Sequence, residues 1–277
     1  MKKGGADVAT SVLIGHDNLE EFRDPANYDL EESPQSGQRI EFYCELADAV
    51  GGPVLELGCG TGLVSIPIAR RGLDVTGIDL ARPMLDFAEL KARREGVSVR
   101  WVQADARQAM LARQFQFIYM TGNAFQAFLS RQDQESLLRS IKSHLAKDGT
   151  FAFETRNPSG HELTTRRDEE HWFDYTNSEN RSVRVSGTQC YDPILQIMHW
   201  KTFRRWTDER GVHVEKTRIA CRFFFPQELA ALLHYNGVEI VRQYGNWNKE
   251  PLVDGSPTII SLCTHRQDKR APVTSAT

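Results

Sequence analysis

The chain has little that would tie it to a membrane, to nucleic acid or to an oxidising compartment. No apolar run approaches the ~20 residues needed to span a bilayer. The basic start Met1-Lys2-Lys3-Gly4-Gly5 is not followed by an apolar stretch of signal-peptide type. A formal net charge of −3 offers no positive field for a phosphate backbone. The five cysteines (Cys44, Cys59, Cys190, Cys221 and Cys263) are odd in number and scattered, with neither a disulfide framework nor metal-ligand spacing. These absences predict a reduced, cytoplasmic setting with no metal, no membrane and no nucleic-acid partner.

What is present fits a globular α/β protein. Its 277 residues, 40% hydrophobic and 26% charged, suffice for one large domain or one domain with a sizeable insertion. The organising stretch is Val54-Leu55-Glu56-Leu57-Gly58-Cys59-Gly60-Thr61-Gly62. An apolar run with one internal acid reads as a short buried strand. Glycines at every second place then force a tight turn, and Leu63-Val64-Ser65-Ile66 resumes a helical pattern. Strand, glycine turn and helix let a backbone approach a nucleotide-like ligand closely. A dinucleotide fingerprint needs a further glycine where Leu63 stands, so the turn suits a ligand without a pyrophosphate better than one with it.

Glu56-Leu57-Gly58-Cys59-Gly60-Thr61-Gly62 resembles the first signature of class I S-adenosylmethionine-dependent methyltransferases. Leu73-Asp74-Val75-Thr76-Gly77-Ile78-Asp79 is similar to their second strand with its terminal acid, and Val102-Gln103-Ala104-Asp105-Ala106 to their third. The likeness is close over roughly residues 50–155 and holds in outline over the last 50. It implies a Rossmann-like seven-stranded, mostly parallel sheet with helices on both faces. It also implies S-adenosyl-L-methionine as cofactor. On this reading Asp79 accepts from both ribose hydroxyls, with capping of the helix that starts near Arg82-Pro83 as a compatible second role. Leu80 and Met84 lie near the adenine, although Met84 also reads as core. Asp105 accepts from the adenine amino group and the Ala106 amide donates to the ring, against a plain loop aspartate. The family's helix near the N-terminus covers the ligand's amino-acid end, for which Tyr28 and Arg39 are the candidates. Arg39 would pair with the methionyl carboxylate; the alternatives are a solvated arginine and a packing tyrosine. Glu56, Gly58, Cys59, Gly60, Gly62 and Met120 complete the expected cofactor set.

In chain order, residues 1–20 read as a mobile N-terminal segment and Pro34 to Val50 as a helix. A helix follows the glycine turn as far as Arg71, with Pro67 predicting a kink and Gly72 a stop. Val97–Gln103, Phe115–Met120 and Thr150–Glu154 read as strands three to five, with a helix from Arg131 to Lys147 stopped by Gly149. Residues 161–223 leave the alternation. Val183–Val185, Ile194–Trp206 and Val212–Phe223 read as antiparallel strands, with a turn at Tyr191-Asp192-Pro193 and a hairpin loop at Asp208–Gly211. We therefore expect a methyltransferase domain over 21–160 and 224–266, an antiparallel β insertion after the fifth strand, and a disordered tail over 267–277. The insertion reads either as a substrate lid, with Trp172, Phe173, Tyr175, Trp200 and Trp206 as its aromatic surface, or as a dimer contact, so the chain is a monomer or a homodimer. A helix over Pro226–Tyr235 and strands at Val238–Val241 and Thr258–Cys263 finish the fold.

The loop after the fourth strand, Thr121-Gly122-Asn123-Ala124-Phe125, should face the reacting centre. It lacks the Asn-Pro-Pro-Tyr tetrad of enzymes that methylate planar amino groups of bases, and it resembles small-molecule methyltransferases, including those acting on amines or amino sugars. Asn123, Phe125 and Trp247 are the expected substrate-pocket residues; Phe125 and Phe128 read equally as cofactor wall or core. Methyl transfer from a sulfonium asks mainly for positioning and exclusion of water. No catalytic base stands out and lone histidines read as surface residues, which puts N-methylation slightly ahead of O-methylation. The competing readings are a protein or RNA acceptor, a non-catalytic binding module for the cofactor, and a nicotinamide-dependent oxidoreductase.

Overall fold

The computed structural model describes residues 15–31, 36–160 and 162–267. Two helices, the short α1 (Pro25–Leu30) and the longer α2 (Ser36–Val50), precede the strand β1 (Val54–Leu57). The glycine turn leads into α3 (Ser65–Arg70), then β2 (Val75–Asp79), α4 (Arg82–Arg94), β3 (Arg100–Gln103) and β4 (Phe115–Met120). Next come α5 (Arg131–His144) and β5 (Leu145–Arg156). Four long strands follow: β6 (Arg166–Thr176), β7 (Ser182–Asp192), β8 (Ile197–Asp208) and β9 (Gly211–Arg222). The chain returns through α6 (Pro226–Tyr235), β10 (Val238–Tyr244) and β11 (Thr258–His265).

The first sheet has the order β10-β11-β5-β4-β1-β2-β3. Its inner pairs are parallel and β11 alone runs against its neighbours, so six strands share one direction. Burial on both faces explains its near-continuous apolar strands. Successive side chains alternate between two cores. Leu55, Leu57, Ile118 and Met120 face α5 and α6 through Leu137, Ile141, Leu229 and Leu233. Val54, Phe117 and Tyr119 face α2 and α3 through Phe42, Tyr43, Ala47 and Ile68. The second sheet, β6-β7-β8-β9, is wholly antiparallel.

Several local expectations change. The helix expected to reach Lys147 ends at His144, and Gly149 lies inside β5 rather than stopping a helix. A Cβ there would sit 3.1 Å from the Gln116 carbonyl oxygen, so this glycine serves close strand approach. Pro67 is the third residue of α3, where its missing N–H has no intrahelical partner to lose, and no kink is needed. The third strand is four residues long, three fewer than expected at its start. The insertion carries four strands, not three. The missed one, β6, has no buried residue along its whole length, which hides it from a hydrophobic pattern. The turn expected at 191–193 falls after Asp192, whose carboxylate accepts from the Ile194 and Leu195 amides at 2.8 and 2.9 Å. The hairpin at Asp208–Gly211 is present, with those two residues paired. Pro34, residues 1–14 and residues 268–277 lie outside the described residues. Among the described residues no helix is long and apolar enough to cross a membrane.

Candidate functional site

A cavity of about 680 Å3 opens at the carboxyl ends of β1, β2, β3 and β4, where open α/β sheets bind ligands. Its floor is the glycine turn. Gly58, Gly60 and Gly62 have φ values of +74°, +53° and +76°, a left-handed course that side chains resist. At Gly62 a Cβ would also stand 2.7 Å from the Trp101 ring. The Gly60 amide donates to Asp79 Oδ2 at 2.7 Å, and the Ala81 amide donates to Oδ1 at 2.8 Å. Asp79 thus ties the turn to the start of α4 while lining the cavity. Each oxygen takes one amide and keeps further acceptor capacity. Burial raises the Asp79 pKa, opposed by the amides of Ala81, Gly60 and Leu80.

Asp105 is held differently. The Arg107 guanidinium grips both its oxygens at 2.5 to 3.0 Å and reaches Asp133 Oδ1 at 2.6 Å. Burial works against the charge on Arg107, but the two aspartates outweigh it and hold its pKa above the ordinary value. Most of the acceptor capacity of Asp105 is therefore spent inside the protein.

Of the expected cofactor residues, Tyr28, Gly58, Gly60, Asp79, Leu80, Met84, Asp105, Ala106 and Met120 line this one cavity. Arg39, Glu56, Cys59 and Gly62 do not. Glu56 is 1% exposed and accepts from Ser65, from the Tyr119 hydroxyl at 2.9 Å and from Thr121 Oγ1 at 3.2 Å. Burial pushes its carboxyl up to about 7 against those three donors and the nearby Arg39 charge. Phe125, Trp247 and Asn123, expected at the substrate pocket, are absent from the lining of this cavity. Phe125 is fully buried and stacked on Phe153 with centroids 4.4 Å apart, whereas Phe128 reaches the cavity. Trp247 donates its indole N–H to Glu154 at 2.8 Å, behind the wall.

Sequence reasoning missed the outer wall. It is built by Asp17, Asn18, Leu19 and Phe22 together with Tyr28, all from the segment before α2. None of the described residues of 162–223, aromatic or otherwise, lines the cavity. That sheet instead grips the segment. The Asn18 side-chain amide donates to the Ala220 carbonyl at 3.0 Å and accepts from its amide at 2.8 Å, completing the β9 edge as a peptide group would. Arg204 pairs with both Glu21 and Glu31, and Arg218 with Glu20. The signal available was charge: Glu20, Glu21 and Glu31 before α2, and arginines along β8 and β9. A second groove of about 470 Å3, walled by Glu20, Arg23 and residues of β8 and β9, shares no residue with the first.

The strand order, the reversed β11 and a cavity at the parallel strand ends define the Rossmann-like fold of class I methyltransferases. Residues 54–149 match the model of the family described as a methyltransferase domain. Over 111 residues the chain is 35% identical to the cypemycin N-terminal methyltransferase of Streptomyces sp, covering 39% of this chain and 44% of that protein. Over 125 residues it is 32% identical to the ubiquinone biosynthesis O-methyltransferase of Pseudomonas syringae pv. tomato, covering 44% and 53%. The chain thus spans about half the length of these relatives. Among solved structures, the CcbJ methyltransferase of Streptomyces caelestis superposes with a TM-score of 0.76 at 23% identity, over 91% of this chain and all of that one. Among the described residues no group of three or more metal-ligating side chains occurs.

Proposed function

We propose that the protein transfers a methyl group from S-adenosyl-L-methionine to a small-molecule acceptor, with an amine nitrogen favoured over an oxygen. The observation that carries this is Asp79, a carboxylate at the tip of β2 that braces the glycine turn and still faces the cavity. The residues present fit an adenosyl ligand. Asp79 accepts from the ribose hydroxyls, Leu80, Met84 and Ala106 flank the base, and Met120, Thr121 and Gly122 border the reacting end. Because Arg107 occupies Asp105, the base amino group finds less acceptor there than the family resemblance implies.

When bound, the cofactor supplies an electrophilic methyl group on a sulfonium, with a neutral thioether as leaving group. The protein's part is to hold the acceptor in line, and the wall of residues 17–28 excludes water. The described titratable side chains of the lining are Asp17, Tyr28, Asp79, Asp105 and Arg107. On this reading Asp79 is taken up by the ribose and Asp105 by Arg107, and the described lining includes neither histidine nor lysine. A neutral amine needs no strong base, whereas an alcohol or phenol needs one placed beside it. A relative named as an N-terminal methyltransferase accords with an amino acceptor, and one named as an O-methyltransferase keeps oxygen as the rival.

The test is calorimetry with S-adenosylmethionine, followed by single-turnover transfer of its labelled methyl to panels of small amines and phenols. Binding with transfer to amines supports the proposal. Transfer to phenols alone reverses the preference, and binding without any transfer supports a cofactor-binding module. Failure to bind overturns the reading.

A further inference from the structure

Behind the wall at residues 120–122 lies a carboxylate that the ligand reading does not use. Glu154, near the end of β5, is 2% exposed and accepts from two other parts of the chain, with a tyrosine hydroxyl from a third beside it. The Gly122 amide donates to Oε1 at 2.9 Å. The Trp247 indole donates to Oε2 at 2.8 Å, and the Tyr43 hydroxyl of α2 approaches the same oxygen at 3.3 Å. The same hydroxyl stands 3.3 Å from the Met120 carbonyl.

The loop so held is unusual. Gly122 and Asn123 follow one another with φ of +62° each, a left-handed pair that a non-glycine residue adopts at a cost. Such backbone persists where its surroundings over-determine it, and it gathers at functional sites. Met120, Thr121 and Gly122 line the cavity, while Glu154 touches it nowhere.

We propose that Glu154 is a positioning residue: by fixing the Gly122 amide it sets the shape of the 120–123 wall against which the methyl donor lies, and Trp247 holds the carboxylate in that register. The proposal rests on the cofactor reading above. Its chemical logic is that the Gly122 amide and the Trp247 indole can only donate, one to each carboxylate oxygen, so the site requires a group that accepts on both. A glutamine keeps one acceptor but turns an N–H toward a donor, and an indole N–H has no capacity to accept. Exchanging Trp247 for phenylalanine removes that donor and relieves the clash.

The experiment compares the wild type with Glu154→Gln, Trp247→Phe and the double variant. S-adenosylhomocysteine affinity is read by calorimetry, amide hydrogen exchange over 121–124 by mass spectrometry, and thermal midpoint by scanning calorimetry. Glu154→Gln should weaken binding about tenfold and speed exchange at 121–124 about tenfold, with a midpoint near that of the wild type. The double variant should regain most of both losses. Wild-type affinity and exchange in Glu154→Gln overturn the proposal. So does a loss that merely tracks a lowered midpoint and is not regained in the double variant. Should the wild type itself fail to bind, the cofactor reading falls, while the exchange rates still decide whether Glu154 shapes the loop.

Discussion

The seven-stranded sheet meets the cavity directly, with the tips of four parallel strands, whereas the four-stranded sheet meets it through an intermediary. The first places Gly58, Asp79, Asp105 and Met120 in the lining by backbone geometry alone. The second grips residues 18–31, and those residues form the wall. The buried acids differ accordingly. In the first sheet Glu56 and Glu154 accept hydrogen bonds from neutral hydroxyls, an amide and an indole, and the Arg39 charge acts on both, most strongly on Glu154. At the second sheet Glu21 and Glu31 share the Arg204 guanidinium, with N–O distances of 2.5 to 2.8 Å. A wall fastened by charge can be released without unfolding the sheet behind it, but a floor made of strand ends cannot.

The sharpest way to break this comparison is Arg204→Ala. Removing one partner of a buried ion cluster costs about 3–5 kcal/mol when the remaining charges stay buried. Here Glu21 and Glu31 can escape the penalty by leaving β8 and taking the segment with them. We expect residues 15–31 to become open to amide exchange and limited proteolysis, with β1 and β4 as protected as before. Loss of protection throughout the parallel sheet would show that the two regions are one cooperative unit.

Glu56→Gln probes the opposite arrangement. Burial holds the Glu56 carboxyl at about 7, against 4.5 in the unfolded chain. A raised folded pKa means that the native state binds the extra proton, so this contribution to stability is whole below pH 4.5 and is lost as pH rises to 7. At 1.36 kcal/mol per pKa unit the loss is about 3 kcal/mol. Urea unfolding at pH 4.5 and pH 8 should show the difference between variant and wild type shifting by that amount in the variant's favour. An unchanged difference would mean that the donors around Glu56 balance its charge as fully as Arg204 balances Glu21.

The same contrast decides what could be read before the fold was known. Gly58, Gly60 and Gly62 are dictated by left-handed backbone, and Asp79 by its place at a strand tip, so local rules of the chain reveal them. All seven strands in the first sheet were visible as apolar or alternating runs, and Val97–Val99 was over-read at the start of the edge strand β3. β6 was invisible because Arg166 to Thr176 is charged and open on both faces. Arg107 with Asp133, Glu154 with Gly122 and Asn18 with Ala220 are paired across 26, 32 and 202 positions of the chain, and no periodicity records such pairings. Arg39 was expected at the cofactor carboxylate and Trp247 at the substrate pocket; the Arg39 charge also acts on buried Glu154, and the Trp247 indole donates to it.

Asp79→Ala sharpens the comparison at the ligand itself. It leaves the Gly60 and Ala81 amides without an acceptor and removes the acceptor offered to the ribose. A lost charged acceptor costs about 1–3 kcal/mol, or roughly 5- to 150-fold in Kd. Calorimetry with S-adenosylhomocysteine measures it, with hydrogen exchange over 15–31 as the control. The wall should stay protected in this variant, because Asp79 shares no hydrogen bond with it, while affinity falls. Arg204→Ala should show the reverse order: wall exposure first, and lost affinity only as a consequence. If Asp79→Ala bound the ligand as the wild type does, the strand tips would not be the gripping part of the site.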